Sequence, residues 1–141
     1  MNKDIILKWL ENSEKNVAVA SDMYRLGHYN WCLFMWHLAI EKILKAYLAK
    51  QDKEIPYIHD LGKLSDLAGI DFGKIGITKD ELSEITGYNI EARYEDYKYD
   101  FYKKTTKEYT DIWIPRCESV YKFVKESINA WPKKNWDCEK I

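Results

Sequence analysis

Residues 31–48 carry apolar side chains on almost every side of a helix, and no other stretch limits the fold as strongly. Neither proline nor glycine interrupts it. A surface helix needs only one apolar stripe, so a helix that is apolar around most of its circumference must be contacted from several directions. We therefore predict a central helix surrounded by others. Its apolar residues are Trp31, Leu33, Phe34, Met35, Trp36, Leu38, Ala39, Ile40, Ile43, Leu44, Tyr47 and Leu48.

The charged residues of this central helix are Glu41, Lys42 and Lys45, and two interpretations of them stay open. Charges on a helix usually form a solvated strip. Alternatively, Lys42 and Lys45 together with a nearby arginine form a small site for an anion.

Helical periodicity also marks the segments on either side. Apolar residues in the range 4–26 recur with gaps of three, four or seven, and Gly27 ends that first helix. After the central helix, the range 59–68 has the pattern of a short helix that ends at Gly69.

Two capping boxes indicate the starts of later helices. Thr78 is followed by Glu81, and Thr105 is followed by Glu108, each pair having the spacing at which side chains cap the first turn. The second box opens a long amphipathic helix that runs to residue 131. Pro115 either kinks this helix or marks its true first turn.

The fold class follows from these helices. No segment has the pattern of a strand, and 141 residues suit one domain. We predict a single all-α domain, an up-and-down bundle of about five helices over residues 1–131, with a frayed C-terminal tail over residues 132–141.

Composition excludes several classes of protein. The formal net charge of -1 gives no global field that would attract nucleic acid or an anionic membrane, so any phosphate binding must be local. We find no segment apolar enough to span a membrane and no signal peptide. Cys32, Cys117 and Cys138 match neither a disulfide framework nor a zinc site, so we expect a cytoplasmic protein that needs no metal.

The sequence also lacks the common catalytic motifs. It contains no phosphate-binding glycine loop, no HExxH and no GxSxG, so no cofactor is predicted. Histidine is the residue type whose ordinary pKa lies near neutrality, and the chain has three of them. We interpret His37 as a hydrogen-bonded core residue, His59 as a capping or packing residue, and His28 as a solvated one.

The range 93–102, RYEDYKYDFY, combines an arginine with several tyrosines but shows neither helical nor alternating order. We predict a connecting segment, for which two roles stay open. Arg93 could bind a phosphate while Tyr94, Tyr97 and Tyr99 stack on a base or a partner side chain. Alternatively, the tyrosines pin a loop to the bundle and Arg93 satisfies carbonyl groups at a helix end.

The order of these features resembles that of a HEPN domain over roughly residues 5 to 130. The most specific matching pieces are HLAIEKILKAYL, the HDLGKL element and RYED. The resemblance implies a helical bundle that commonly forms a homodimer. It also implies a prokaryotic protein that pairs with a minimal nucleotidyltransferase in the manner of a toxin and its antitoxin.

Many HEPN domains are metal-independent endoribonucleases, and this sequence resembles only part of their catalytic motif. The motif is an arginine followed, after four to six residues, by a histidine. Arg93 matches the arginine, but Lys98, Tyr99 and Asp100 occupy the histidine positions. Neither lysine nor tyrosine is a good base near neutral pH. In some paired members the partner modifies a tyrosine beside the histidine, a position near which Tyr97 and Tyr99 lie.

Three hypotheses about function follow. The preferred one is a non-catalytic HEPN protein that binds a nucleotide or nucleic-acid phosphate through Arg93 and partners a nucleotidyltransferase. The second is a ribonuclease in which Arg93 stabilises the phosphate and His59 or a tyrosine acts as the base. The third is a purely structural interaction module. Because the chain has six Trp and eleven Tyr, we expect rings at an interface. The candidates are Trp31, Trp36 and the tyrosine-rich range 93–102, and Trp9 and Trp113 could equally serve.

Overall fold

Six α-helices and one short 3-10 helix make up residues 3–131, the part of the chain that this computed structural model describes. Strands are absent from this part, so the all-α prediction is confirmed, although there is one helix more than the five expected. The predicted tail over residues 132–141 lies outside the described residues. The elements are α1 (Lys3–Arg25), α2 (Tyr29–Lys50), α3 (Leu61–Ala68), the 3-10 helix (Phe72–Ile75), α4 (Lys79–Glu91), α5 (Glu95–Lys104) and α6 (Lys107–Ala130).

Helix α2 is the centre of the bundle, as its apolar circumference predicted. It packs against α1, α3, α4, α5 and α6. A short turn containing Gly27 joins α1 to α2, and φ at that residue is +79°, a left-handed conformation that glycine adopts without strain. Leu33, Ile40 and Leu44 are completely buried within α2. Within residues 3–131, no helix has the length and apolarity that a membrane span requires.

The range 93–102 is mostly helical, so the prediction of a connecting segment was wrong. Helix α5 occupies Glu95–Lys104, with acidic residues in its first turn and lysines in its last, an arrangement that the helix dipole favours. Phe101 is the one residue that this helix buries. A helix that buries a single side chain has no apolar residues recurring at helical spacing. The sequence therefore gave no signal from which α5 could be predicted.

The capping prediction was correct for α4 and displaced by one residue for α6. Thr78 and Glu81 form the predicted capping box. The N-cap of α6 is Thr106 rather than Thr105, because the Thr105 hydroxyl donates to the carbonyl of Phe101 and closes α5 instead. Pro115 lies in the interior of α6, so the first-turn interpretation was wrong.

Of the four tryptophans considered for an interface, Trp36 is buried inside the subunit. It is 7% exposed and packs edge-on against the ring of Tyr121. Trp31 is exposed on α2 and meets Phe34 edge-on. Trp9 and Trp113 are partly buried against the core. Among the four tryptophans, Trp31 is therefore the one exposed enough to lie at an interface, whereas Trp36 is not.

The C-terminus of α2 yields a prediction about stability. The amide of Asp52 donates to Ala49 and that of Lys53 donates to Leu48, which is the hydrogen-bond pattern of a Schellman motif. Asp52 has φ +58°, a left-handed conformation in which a Cβ atom is crowded. We expect Asp52→Gly to raise the free energy of unfolding by about 0.5 kcal/mol, measured by urea denaturation.

The matched control is Asp100→Gly, since Asp100 lies inside α5 with ordinary helical geometry. There the same change should be neutral or slightly destabilising. If both variants lose stability equally, the left-handed conformation of Asp52 carries no strain and the explanation fails.

Candidate functional site

His37, Glu41 and Lys45 form a polar ladder along one face of α2, because residues four apart lie above one another on a helix. The three side chains are buried: His37 is 0% exposed, and Glu41 and Lys45 are each 5% exposed. The ammonium of Lys45 donates to the Glu41 carboxylate at 2.9 Å. The prediction of a solvated strip was therefore wrong for Glu41 and Lys45.

His59 lies against the ladder and makes hydrogen bonds to it through both its ring and its main chain. Its ring nitrogen Nδ1 donates to the two oxygens of Glu41 at 3.0 and 3.1 Å. Its backbone carbonyl accepts a hydrogen bond from Nε2 of His37 at 3.0 Å. Asp60, rather than His59, caps α3, so the capping interpretation of His59 was wrong. Two side chains of α2 thus hold both the main chain and the ring of His59.

This attachment decides which nitrogen of His59 remains free. Because Nδ1 donates its proton to a carboxylate, the neutral ring carries its lone pair on Nε2. Within the described part of the chain, Nε2 has no hydrogen-bond partner. The side chain is 45% exposed. A carboxylate that orients an imidazole and leaves the other nitrogen accessible is the arrangement that acid–base and phosphate-binding histidines share.

His37 is neutral and has one unsatisfied nitrogen. Burial lowers its pKa to about 4, against the partly opposing charge of Glu41. Because Nε2 donates to the carbonyl of His59, Nδ1 carries a lone pair, and it has no hydrogen-bond partner. The nearest carboxylate oxygen, on Glu41, is 3.9 Å away. The prediction of a hydrogen-bonded core histidine is confirmed, and His28 is exposed as predicted.

Lys45 and Lys42 differ in how much of their charge is available. The ammonium of Lys45 lies 5.6 Å from the ring centroid of Trp9 and 6.0 Å from that of Tyr57, in addition to its bond to Glu41. Its charge is therefore used inside the protein. Lys42 is half-buried, and burial lowers its pKa.

Arg93 lies directly after the end of α4. Thr86, Asn89 and Arg93 share one face of the chain there, since they recur at three and four residues. Thr86 accepts a hydrogen bond from the backbone of Leu61, two residues after His59. The charge of Arg93 has a smaller effect on the pKa of His37 than burial, Glu41 and His59 have. The hydrogen bond of Thr86 attaches α4, which Arg93 follows, to the segment that carries His59.

The guanidinium of Arg93 is only partly engaged. Its Nε donates to the backbone carbonyl of Asn89 at 2.9 Å, and its central carbon lies 5.8 Å from the ring centroid of Tyr94. Over residues 3–131, no carboxylate forms an ion pair with it; Glu95 pairs with Lys98 instead. The interpretation that Arg93 satisfies a helix carbonyl is confirmed for Nε, and the residue as a whole is exposed.

The tyrosines predicted to accompany Arg93 do not share one surface. Tyr94, Tyr97 and Tyr99 are all exposed. Tyr94 and Tyr97 lie on the side of α5 that carries Phe101, since three and four residues complete about one turn. Tyr99 precedes Phe101 by two residues, which turns it to the opposite side, where it meets the ammonium of Lys103 at 4.9 Å. Only Tyr94 and Tyr97 are therefore neighbours of one another.

Two surface pockets of the described chain lie outside this cluster. One, of about 440 Å³, lies between α3, the 3-10 helix and α4, and the other, of about 400 Å³, lies between α1, α2 and α6. Glu41, His59 and Arg93 line neither pocket. We base the candidate site on the side-chain geometry, because an open surface with oriented polar groups needs no deep cavity to bind a phosphate.

Sequence reasoning missed the contact between Glu41 and His59 and the position of Tyr57. Glu41 and His59 are 18 residues apart and belong to different segments, so no local spacing in the sequence reveals their contact. One signal was present: a carboxylate inside an otherwise apolar helix needs a partner.

The fold is an all-α bundle with α2 at its centre, and its polar residues include an exposed arginine after α4 and a histidine that Glu41 orients. A model of the HEPN domain family matches residues 6–127, which is most of the chain. The chain therefore belongs to the HEPN domain family. A HEPN domain supports a function related to nucleotides or RNA. Searches among curated proteins and solved structures found no match.

The buried His37 makes stability depend on pH. Its pKa is about 4 in the folded protein and about 6.5 when unfolded, so between these values the unfolded chain binds a proton that the folded chain does not. His37 therefore makes stability fall as the pH falls from about 6.5 towards 4. We expect the loss in unfolding free energy between pH 7 and pH 5 to be about 2 kcal/mol smaller in His37→Gln, which keeps a donor for the carbonyl of His59.

Urea denaturation of each variant at the two pH values measures this difference. His28→Gln, which removes an exposed histidine from the turn before α2, is the matched control. An unchanged pH dependence in His37→Gln would show that His37 is not the buried titrating group.

Proposed function

We propose that this HEPN protein binds a phosphate of a nucleotide or of RNA on the surface between Arg93 and His59, and that it does so without catalysis. One observation carries the proposal: Glu41 orients the exposed imidazole of His59 with its Nε2 free, and the hydrogen bond from the Leu61 amide to Thr86 attaches α4, which Arg93 follows, to the same segment. A guanidinium binds phosphate oxygens through its fork of donors, and an imidazolium donates through Nε2.

The other predicted residues have unequal parts in this proposal. Tyr94 contacts Arg93, and Tyr97, one turn further along, is exposed on the same side; both offer secondary contacts to the ligand. Lys42 adds positive charge from α2. Lys45 acts indirectly, because its ammonium neutralises Glu41 and thereby prevents that carboxylate from repelling an anion. Tyr99 contributes to a partner surface rather than to this site, since it lies on the far side of α5.

The proposal includes partners. The family resemblance supports a homodimer and a minimal nucleotidyltransferase as partner, paired in the manner of a toxin and antitoxin. The exposed rings of Trp31, Tyr99 and Tyr102 offer apolar surface for such contacts. We propose that the pair works in the cytoplasm, because Cys32 and Cys117 are free, buried thiols, which suits a reducing compartment.

Arg93→Ala tests the binding site. We expect this change to raise the Kd for a short RNA or for adenosine 5′-monophosphate by about 10- to 100-fold, since a charge-assisted hydrogen bond to phosphate is lost. Isothermal titration calorimetry measures it. Arg25→Ala is the matched control, because Arg25 is exposed at the end of α1 and pairs with Asp22. Equal affinity for wild type and Arg93→Ala would overturn the proposal.

A metal-independent endoribonuclease is a second candidate, favoured by the bond between Glu41 and His59. This bond prepares Nε2 of His59 to accept a proton. In that reaction Nε2 takes the proton of a ribose 2′-hydroxyl, and the 2′-oxygen attacks phosphorus. The bond from phosphorus to the 5′-oxygen breaks, and the departing oxygen takes a proton from the imidazolium. Arg93 stabilises the charge on the phosphoryl oxygens.

Incubation of RNA with excess chelator separates the two candidates. If the ribonuclease candidate is correct, wild type cleaves RNA while His59→Asn, which keeps a donor towards Glu41 but lacks the free imidazole nitrogen, and Arg93→Ala lose at least about 100-fold in rate. Binding without cleavage by wild type leaves the non-catalytic function. Cleavage that persists in His59→Asn would remove His59 as the base.

A further inference from the structure

Tyr57 is the most exposed large hydrophobic side chain in the described part of the protein, at 97%. It belongs to the strap, which we define as residues 51–60, the connection between α2 and α3. A tyrosine ring can bury a large apolar area, so leaving it fully in water forgoes a large contribution to stability. This exposed ring lies beside a cluster of oriented polar groups, where it is available to a ligand.

The strap cannot carry the ring of Tyr57 into the core, because the strap is fixed on both sides of this residue. Ile55 and Ile58 pack against the core, and His59 is attached to α2 through its main chain and its ring. Pro56 restricts the backbone directly before Tyr57. The residue between these attachments is held outward, so the ring is presented at little entropic cost to a ligand.

The ring of Tyr57 adjoins the candidate site. Its centroid lies 6.3 Å from that of His59, in an edge-to-face arrangement. It also lies 6.0 Å from the ammonium of Lys45, which lies 5.6 Å from the ring of Trp9. An exposed aromatic face therefore stands next to the imidazole whose Nε2 is free. A nucleobase offers a flat π face, and stacking on an aromatic side chain is the usual way in which proteins bind unpaired bases.

We propose that Tyr57 is the base-stacking residue of this protein, which holds the base of a nucleoside phosphate or of single-stranded RNA whose phosphate lies against His59 and Arg93. This inference rests on the proposed phosphate site and adds the part of the ligand that the site recognises. It assigns the base to the strap rather than to the tyrosines of α5. Stacking tolerates all four bases, so Tyr57 provides affinity for a nucleotide over a simple phosphate ester.

The test compares two probes that differ by the base, adenosine 5′-monophosphate and ribose 5-phosphate, in calorimetric titrations. Wild type is expected to bind the nucleotide about 5- to 100-fold more tightly. Tyr57→Ala should abolish this preference and leave ribose 5-phosphate binding unchanged. Tyr57→Phe should keep the preference, because it retains the ring. Tyr99→Ala removes another exposed tyrosine and is the matched control.

A second readout reports stacking directly. The fluorescence of 2-aminopurine riboside 5′-monophosphate is quenched when its base stacks, so wild type and Tyr57→Phe should quench it at saturation and Tyr57→Ala should not. A structural role of Tyr57 would change stability without changing this quenching.

The outcomes separate this inference from the proposed function. If ribose 5-phosphate binds and Arg93→Ala weakens it, but the base adds no affinity or Tyr57→Ala keeps the preference, the stacking role is wrong and the phosphate site stands. If wild type binds neither probe nor a short RNA, the phosphate site is wrong and the stacking role falls with it.

Discussion

The carboxylate of Glu41 is the group on which the rest of the site depends. Removing a charged carboxylate from water costs several kcal/mol unless the protein surrounds it with partners. Lys45 and His59 supply these partners from α2 and from the strap. The need to satisfy one buried charge therefore brings the strap onto the central helix. The orientation of the His59 ring and the outward position of Tyr57 both follow from that attachment.

The family's ribonuclease motif and the geometry of this chain differ in where an imidazole lies. Positions 98–100, where the motif histidine falls, belong to α5, and Lys98 there pairs with Glu95. The oriented imidazole of this chain, that of His59, belongs instead to the strap and is held there by Glu41. Any cooperation between His59 and Arg93 therefore depends on the tertiary fold rather than on a local spacing.

Helices α1 to α4 and α6 were predictable from the sequence because their signals are local. Apolar residues recur at helical spacing, and Gly27, Gly69 and Thr78 mark the ends. Helix α5 gave no such signal, since charges at its ends rather than a buried face hold it. Arg93 was singled out by the unusual composition of the range 93–102, and the resemblance then matched it to the motif arginine. The burial of Glu41 and Lys45 was not predictable from their helix alone, because residues of the strap and Trp9 of α1 cover them.

The polar ladder of α2 also joins segments that are far apart in the sequence. Each step of four residues turns the row by about 40° around the helix axis, since a full turn takes 3.6 residues. His37 and Glu41 both hold His59 of the strap, and Lys45 reaches Trp9 on α1. The strap and α1, which are distant in the sequence, are thus attached to neighbouring turns of one helix. A displacement of α1 that separates Trp9 from Lys45 would therefore alter the surroundings of the ammonium that partners Glu41.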